Sequence, residues 1–493
     1  GISKGGAVYL GVETVEIRYC FFTSNICSNS QNLNNDESNG GGIFLKYKSG
    51  CELIIDSCFF KENEASTSGG SIFIHFYSEN EIDFNSKIRI TNCQFLSSLA
   101  NVSGGAIYDF HEKEVDINST DIENCLFKSC FSTNGGAIFY DDAINKKIIY
   151  NCTFENDTAI KEGGGIYAKS NLIDLLESNF AFCQTENEGG AIKFQFTFGQ
   201  YSFYSKMNTF YNCSSDNGGA LNIESAIFTE ILSNNFTNCY SYHYGGAILS
   251  TSIINTYDCL YANCCAGIDI DGDGGAIFSI SPIWHDIDFI INSTFINCTA
   301  SSCGGAVFGS TLLSEENYNN YLIKKSNFTN CKSNINGGAI STGYQRNSLP
   351  YNYSPIEVVL EKCLFKQCES NYGGAIYTQD GDFETNDETQ IFYCLFIDCF
   401  SKSGQGYAIF SESLKFTIKY CTFQGFKRSA NSNHSILLIT MNEHIMPILY
   451  SCHFEDNRIP SLIMKITNDD IVIEGFTFNN FSDALTCINI NQW

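Results

Sequence analysis

Residues 55–73 read Ile55-Asp56-Ser57-Cys58-Phe59-Phe60-Lys61-Glu62-Asn63-Glu64-Ala65-Ser66-Thr67-Ser68-Gly69-Gly70-Ser71-Ile72-Phe73, and the layout of this stretch recurs along the whole chain. An aromatic, Phe60, has an apolar residue five positions before it (Ile55), a cysteine two before it (Cys58) and an asparagine three after it (Asn63). A glycine pair follows nine residues from the aromatic. The aromatic recurs as Phe22, Phe60, Phe95, Phe127, Phe154, Phe180, Phe210, Phe236, Tyr261, Phe295, Phe328, Phe365, Phe396, Phe423, Phe454 and Phe478. The glycine motif, Gly-Gly-Ala-Ile or a close variant, begins at Gly5, Gly40, Gly69, Gly104, Gly135, Gly163, Gly189, Gly218, Gly245, Gly274, Gly304, Gly337 and Gly373, with a worn copy at Gly406. A fixed period of about thirty residues marks a repeat architecture, in which each copy buries its apolar face on the next.

Spacing within the repeat gives the path of one copy. From Phe60 to Gly69, Phe154 to Gly163 and Phe328 to Gly337 the interval is nine residues, so this segment follows one course each time. From the glycine pair to the next aromatic it runs from sixteen (Gly245 to Tyr261) to twenty-eight (Gly337 to Phe365), so insertions leave from one side. Apolar residues five and seven before the aromatic, such as Ile88 and Ile90 before Phe95, have the period of two of a half-buried strand. The step from five before to two before is odd, so a strand cannot keep both residues inside; a corner belongs between them. The glycine pair suits a turn with positive φ and a close backbone approach.

Strand, corner, short strand, fixed turn, glycine pair and a further apolar strand make one coil. No copy has a helical period, so the coil itself is the crossover between parallel strands, and such crossovers are right-handed. The chain is expected to be all-β, a right-handed parallel β-helix of about sixteen coils near 4.8 Å each. Neither the Leu ladder of a leucine-rich repeat nor the four-stranded blade of a propeller is present. The chain opens at Gly1 inside a repeat, so 1–493 reads as one β-helix domain cut from a longer protein.

Composition narrows function. The net charge of -26 and five scattered arginines (Arg18, Arg89, Arg346, Arg428, Arg458) offer no basic stripe for a phosphate backbone or an anionic membrane. No apolar run is long enough to span a bilayer. The 24 cysteines and twelve Asn-x-Ser/Thr sequons, at Asn101, Asn118, Asn151, Asn156, Asn212, Asn235, Asn292, Asn297, Asn327, Asn352, Asn433 and Asn480, point to a secreted or surface glycoprotein, though several sequons arise by chance in so Asn-rich a chain.

Alternating Gly-Gly-Ala-Ile and Phe-x-x-Asn motifs resemble the repeat of the chlamydial polymorphic membrane proteins and their counterparts on protist cell surfaces. Phe22 with Asn25, Phe60 with Asn63 and Phe454 with Asn457 match the second motif outright; in nine other copies cysteine replaces the asparagine. The resemblance runs from Gly5 to about Phe478. It implies a surface-exposed, pectin-lyase-like parallel β-helix used for adhesion. The outer-membrane barrel that ends the bacterial members has no counterpart here.

The cysteines form two ladders. Two before the aromatic stand Cys20, Cys58, Cys93, Cys125, Cys152, Cys259, Cys363, Cys394, Cys421 and Cys452; three after it stand Cys130, Cys183, Cys213, Cys239, Cys264, Cys298, Cys331, Cys368 and Cys399. Stacked Cα atoms about 4.8 Å apart fall inside the disulfide range, and pairs within one coil are equal candidates, so a mixture of bridges and thiols is expected. Zinc is not expected from cysteines spread one per coil without histidine partners. Asp269, Asp271 and Asp273 before Gly274 reproduce the opening of a calcium loop, but Ile280 stands where the closing Glu belongs, and a solvated acidic insertion reads equally well. No other cofactor is expected.

Enzymes on this fold are mainly polysaccharide lyases and hydrolases. The paired aspartates Asp141-Asp142 and Asp469-Asp470 have no His or Arg cluster beside them, and the histidines, His111 among them, read as isolated and solvated. The tyrosines of Asn317-Tyr318-Asn319-Asn320-Tyr321 and Tyr351-Asn352-Tyr353 read as insertion residues able to stack on sugars or contact a protein. The expected function is therefore a non-enzymatic extracellular or cell-surface rod, structural or adhesive, binding protein or glycan and able to assemble into filaments. A polysaccharide lyase or hydrolase is the alternative.

Overall fold

The computed structural model describes residues 5–11, 14–28, 38–47, 52–76, 87–111, 119–141, 146–195, 202–224, 228–267, 271–281, 287–312, 320–342, 353–354, 357–379, 388–403, 405–412, 415–426, 435–439, 448–457, 461–465, 472–479 and 488–490. The chain forms two compact units, Gly1–Tyr240 and Ser241–Trp493. Each is a parallel β-helix, and the described residues contain strands and no helix.

A turn of the first unit shows the plan. Lys87–Thr91 is the upstream strand, Gln94–Leu96 carries the aromatic, Leu99–Ala100 is a short strand, and Ile107–His111 follows the glycine pair. Each pairs in parallel and in register with its equivalent one turn away: Ile55, Ile90, Ile122 and Ile149 form one column in the upstream sheet. In the second unit Ile290, Ile323, Leu360 and Ile391 do the same.

Each unit has eight described turns of the aromatic sheet. In the first, Phe60, Phe95, Phe127 and Phe154 stack with ring centroids 4.8, 4.8 and 4.7 Å apart and planes within 6°. In the second, Tyr261, Phe295, Phe328 and Phe365 stack at 4.7, 4.7 and 4.9 Å. All but the terminal rings are essentially inaccessible. Burying each contributes about 1.5–3 kcal/mol, and the ring pairs add about 0.5–1.5 kcal/mol.

The two glycines of each pair serve different needs. The first, such as Gly189, has φ of +67°, a region only glycine enters freely. The second sits against the backbone of the next turn: a Cβ on Gly190 would lie 2.1 Å from the Gly219 carbonyl oxygen. Both roles read from the sequence are present.

The corner expected before the aromatic is a single left-handed residue three positions upstream, for example Asn92, Asn124 and Asn151 at φ of 53°, 53° and 49°. A second corner, not anticipated, lies two residues after the aromatic, at Ser97, Ser129 and Asn156. It turns the chain into the short strand, so the segment read as a fixed turn is corner, strand and turn. The same arithmetic demands it: the aromatic and the residue three after it both point inward, an odd step.

Candidate functional site: the corner ladders

Beside each left-handed corner, an inward side chain reaches a backbone carbonyl oxygen of the preceding turn. At the position three after the aromatic, Cys130 Sγ points to the Phe95 oxygen (3.7 Å), Cys183 to Phe154 (3.7 Å) and Cys399 to Phe365 (3.6 Å). Where asparagine stands there, Asn63 Nδ2 donates to the Phe22 oxygen (3.0 Å) and Asn457 Nδ2 to that of Phe423 (2.9 Å). Two before the aromatic the acceptor is the residue five before the preceding one. Cys125 reaches Ile90 (3.5 Å), Cys152 reaches Ile122 (3.5 Å), and Asn208 Nδ2 donates to Leu175 (2.8 Å). Cysteine, asparagine and serine interchange because each is a small side chain able to donate to that oxygen.

The cysteines are therefore structural donors. Every one in the described residues, including Cys20, Cys58, Cys93, Cys213, Cys239, Cys264, Cys298, Cys331 and Cys368, is a thiol, which corrects the expected mixture with bridges. The reason is directional. In-register parallel neighbours have parallel Cα–Cβ bonds, so their Cβ atoms are also about 4.8 Å apart, while a disulfide wants about 3.8 Å. The Cα criterion alone was too permissive. Burial pushes the thiols of Cys130, Cys363 and Cys399 well above their ordinary range, so they stay protonated.

Two described turns depart from the donor rule, one with Phe426 three after Phe423 and one with an acid. Asp157, fully buried, occupies the position three after Phe154; its Oδ1 accepts from the Cys130 amide (2.8 Å), and its Oδ2 has no hydrogen-bond partner. Burial pushes this carboxyl up to about 8, making it a neutral acid over most of the pH range.

On the outside, the corners form polar ladders. Asn151 Nδ2 donates to Asn124 Oδ1 (2.8 Å), Asn292 to Asp258 (2.5 Å) and Asn297 to Asn263 (3.0 Å). Asn92 and Thr91 donate to Asp56, which holds that carboxyl below the ordinary range. Asn is the non-glycine residue that tolerates the left-handed region best, so corner Asn, inward donor and strand Thr or Ser spell a sequon in Asn151-Cys152-Thr153, Asn212-Cys213-Ser214 and Asn297-Cys298-Thr299. The eight described sequon asparagines, Asn101, Asn151, Asn156, Asn212, Asn235, Asn292, Asn297 and Asn327, are all exposed. Asn118, Asn352, Asn433 and Asn480 lie outside the described residues.

The second unit has a groove of about 440 Å³ along one corner. Asn297, Asn330, Gln367 and Asp398, the left-handed residues of four successive turns, form one wall; Thr299, Lys332, Glu369 and Phe400 form the other. Lys332 and Lys402 approach Glu369 at 3.3 and 3.7 Å. On the corner before the aromatic, Tyr393 and Tyr420 stack at 4.9 Å while half-exposed, both in the left-handed region that disfavours bulky residues.

Other sequence expectations fall differently. Asp271 is exposed, whereas Asp273 is buried and its Oδ1 accepts from the Cys303 amide (2.8 Å); Asp269 lies outside the described residues. No group of three or more candidate metal ligands occurs among the described residues. Asp141 accepts from the Tyr108 hydroxyl (3.0 Å), while Asp142 and the pair Asp469-Asp470 lie outside the described residues. Tyr321, expected on an insertion, is buried with its ring where a Cβ on Gly309 would sit. His111, expected to be solvated, is buried, with Nε2 3.0 Å from Asp109 Oδ1. Asp109 also receives Lys147 Nζ and Thr120 Oγ1, each at 3.0 Å from Oδ2. The sequence reading missed this cluster, although a lysine in the apolar column seven before the aromatic is a visible anomaly.

A scan of the chain against protein-family models and a comparison with curated proteins give no match.

Proposed function

We propose that this chain is a non-enzymatic structural or adhesive β-helix of an extracellular or cell-surface protein, which offers its corner ladders and insertions to a glycan or protein. The observation that supports it best is the periodicity of the groove walled by Asn297, Asn330, Gln367 and Asp398: the same column in four turns, not side chains converging on one point. A repeated wall of three amides and a carboxylate beside Phe400 suits an extended polymer bound by many weak, similar contacts. The resemblance to surface proteins with the same alternating motifs, the exposed sequons and the insertions on one side agree with it. Because the corner itself generates sequons, their number is weaker support than their exposure.

Antibody labelling of intact cells that make the protein tests the reading. Staining without permeabilisation is expected; staining only after permeabilisation overturns it. The second reading, a polysaccharide-cleaving enzyme, rests on Glu369 and Asp398 sharing the groove. Release of reducing ends or unsaturated products from acidic or neutral polysaccharides, abolished by Glu369→Gln, would favour it over the first.

A further inference from the structure

We propose that Lys147 and Asp109 join in an intramolecular isopeptide bond, a covalent tie between side chains 38 residues apart in adjoining turns of the first unit. Both side chains are completely enclosed, which lysine and aspartate almost never are. Each stands in an inward column: Lys147 lies between Thr120 and Ile173, and Asp109 between Ile74 and Tyr140. As an ion pair this arrangement has no evident benefit, because a buried pair is commonly no more stable than the apolar residues it displaces. As reactants the two are held together: Nζ lies 3.0 Å from Oδ2, next to the carboxyl carbon that it would attack.

The neighbours supply what amide formation needs. Despite its burial, the Asp109 carboxyl is held below its ordinary range by Lys147 and His111, so the first step is an uphill proton transfer along the 3.0 Å hydrogen bond that converts ammonium and carboxylate into amine and carboxylic acid. Nζ then attacks Cγ, forming the N–C bond and placing negative charge on Oδ1, where His111 Nε2 stands at 3.0 Å to donate. A second proton passes from Nζ to the Oδ2 hydroxyl, which leaves as water while the carbonyl re-forms on Oδ1. Thr120 Oγ1, 3.0 Å from Oδ2 and 3.3 Å from Nζ, bridges this transfer. The Tyr140 ring, 5.1 Å from Nζ, walls the site. No oxidant or external reagent enters.

Peptide mapping of the full chain by mass spectrometry tests this. The expected result is a branched tryptic peptide joining the segments that carry Asp109 and Lys147, lighter than their sum by one water, with no cleavage after Lys147. In Lys147→Arg the branched species should vanish; in Asp109→Asn it should form with loss of ammonia. Ordinary cleavage after Lys147 in the wild-type chain, with both peptides at full mass, overturns the proposal. So does a water loss that persists in Lys147→Arg. If the variants do not fold, the wild-type map alone decides. The surface reading above stands or falls separately.

Discussion

Replacing Asp157 by asparagine should stabilise the first unit, and by an amount that depends on pH. At the equivalent position Asn63 does two things: its Oδ1 accepts from the Asn25 amide at 3.0 Å, and its Nδ2 donates to the Phe22 carbonyl at 3.0 Å. Asp157 keeps the first bond, to the Cys130 amide, but when ionised it has no proton for the second, whose acceptor by register is the Phe127 carbonyl. Its carboxyl, pushed up to about 8 by burial from an ordinary 3.8, binds a proton in the folded state across an interval where the unfolded chain has lost it. Stability therefore falls as pH rises from about 4 to about 8, by about 1.36 kcal/mol per pH unit, and levels off above. The sum is on the order of 5 kcal/mol, most of which Asp157→Asn should recover at high pH and little of which it should recover at pH 4. Denaturant unfolding of both proteins from pH 4 to 9, with hydrogen exchange at the Cys130 amide as the local probe, reads the difference. Parallel stability curves for the two proteins would refute the donor rule at this corner.

Cys183→Ala should lower stability by roughly 0.5–1.5 kcal/mol by removing the Sγ contact to the Phe154 carbonyl oxygen, with Cys183→Asn milder, as measured by denaturant unfolding. Reductant should leave the melting temperature unchanged, since the cysteines already stand as thiols; a fall on reduction would reveal bridges. Gly190→Ala should be worse than Gly189→Ala, because a Cβ at 190 meets the Gly219 carbonyl of a neighbouring turn at 2.1 Å, whereas one at 189 meets Ile192 within its own turn; soluble yield and thermal melting rank them. Calcium or its chelation should not shift the melting temperature through Asp271 and Asp273, because the Asp273 carboxylate is turned inward to Cys303.

Most of the fold is legible in the sequence because the solenoid repeats its constraints. The Phe60, Phe95 and Phe127 column follows from spacing alone, and the corner at Asn92 follows from the odd step between Ile90 and Cys93. The corner at Ser97 obeys the same parity and was open to the same inference. What the pattern misses is chemistry that departs from it. Asp109 and Lys147 meet across an insertion of variable length, so no fixed spacing announces the pair. The cysteines mislead because one spacing suits both a disulfide and a donor ladder; the direction of Cβ separates the two, and only the register supplies it. Tyr321 misleads because asparagine-rich neighbours suggest a loop where the strand Asn320–Lys324 begins.

An experimental density map of the first unit tests the central claim, in-register stacking of successive turns, most directly. The Phe60, Phe95 and Phe127 rings should form one column with centroids 4.8 Å apart, flanked by the Ile55, Ile90 and Ile122 column. Rings that are not consecutive neighbours, or turns offset by a residue so that Phe95 faces Lys61 or Phe59 in place of Phe60, would contradict it.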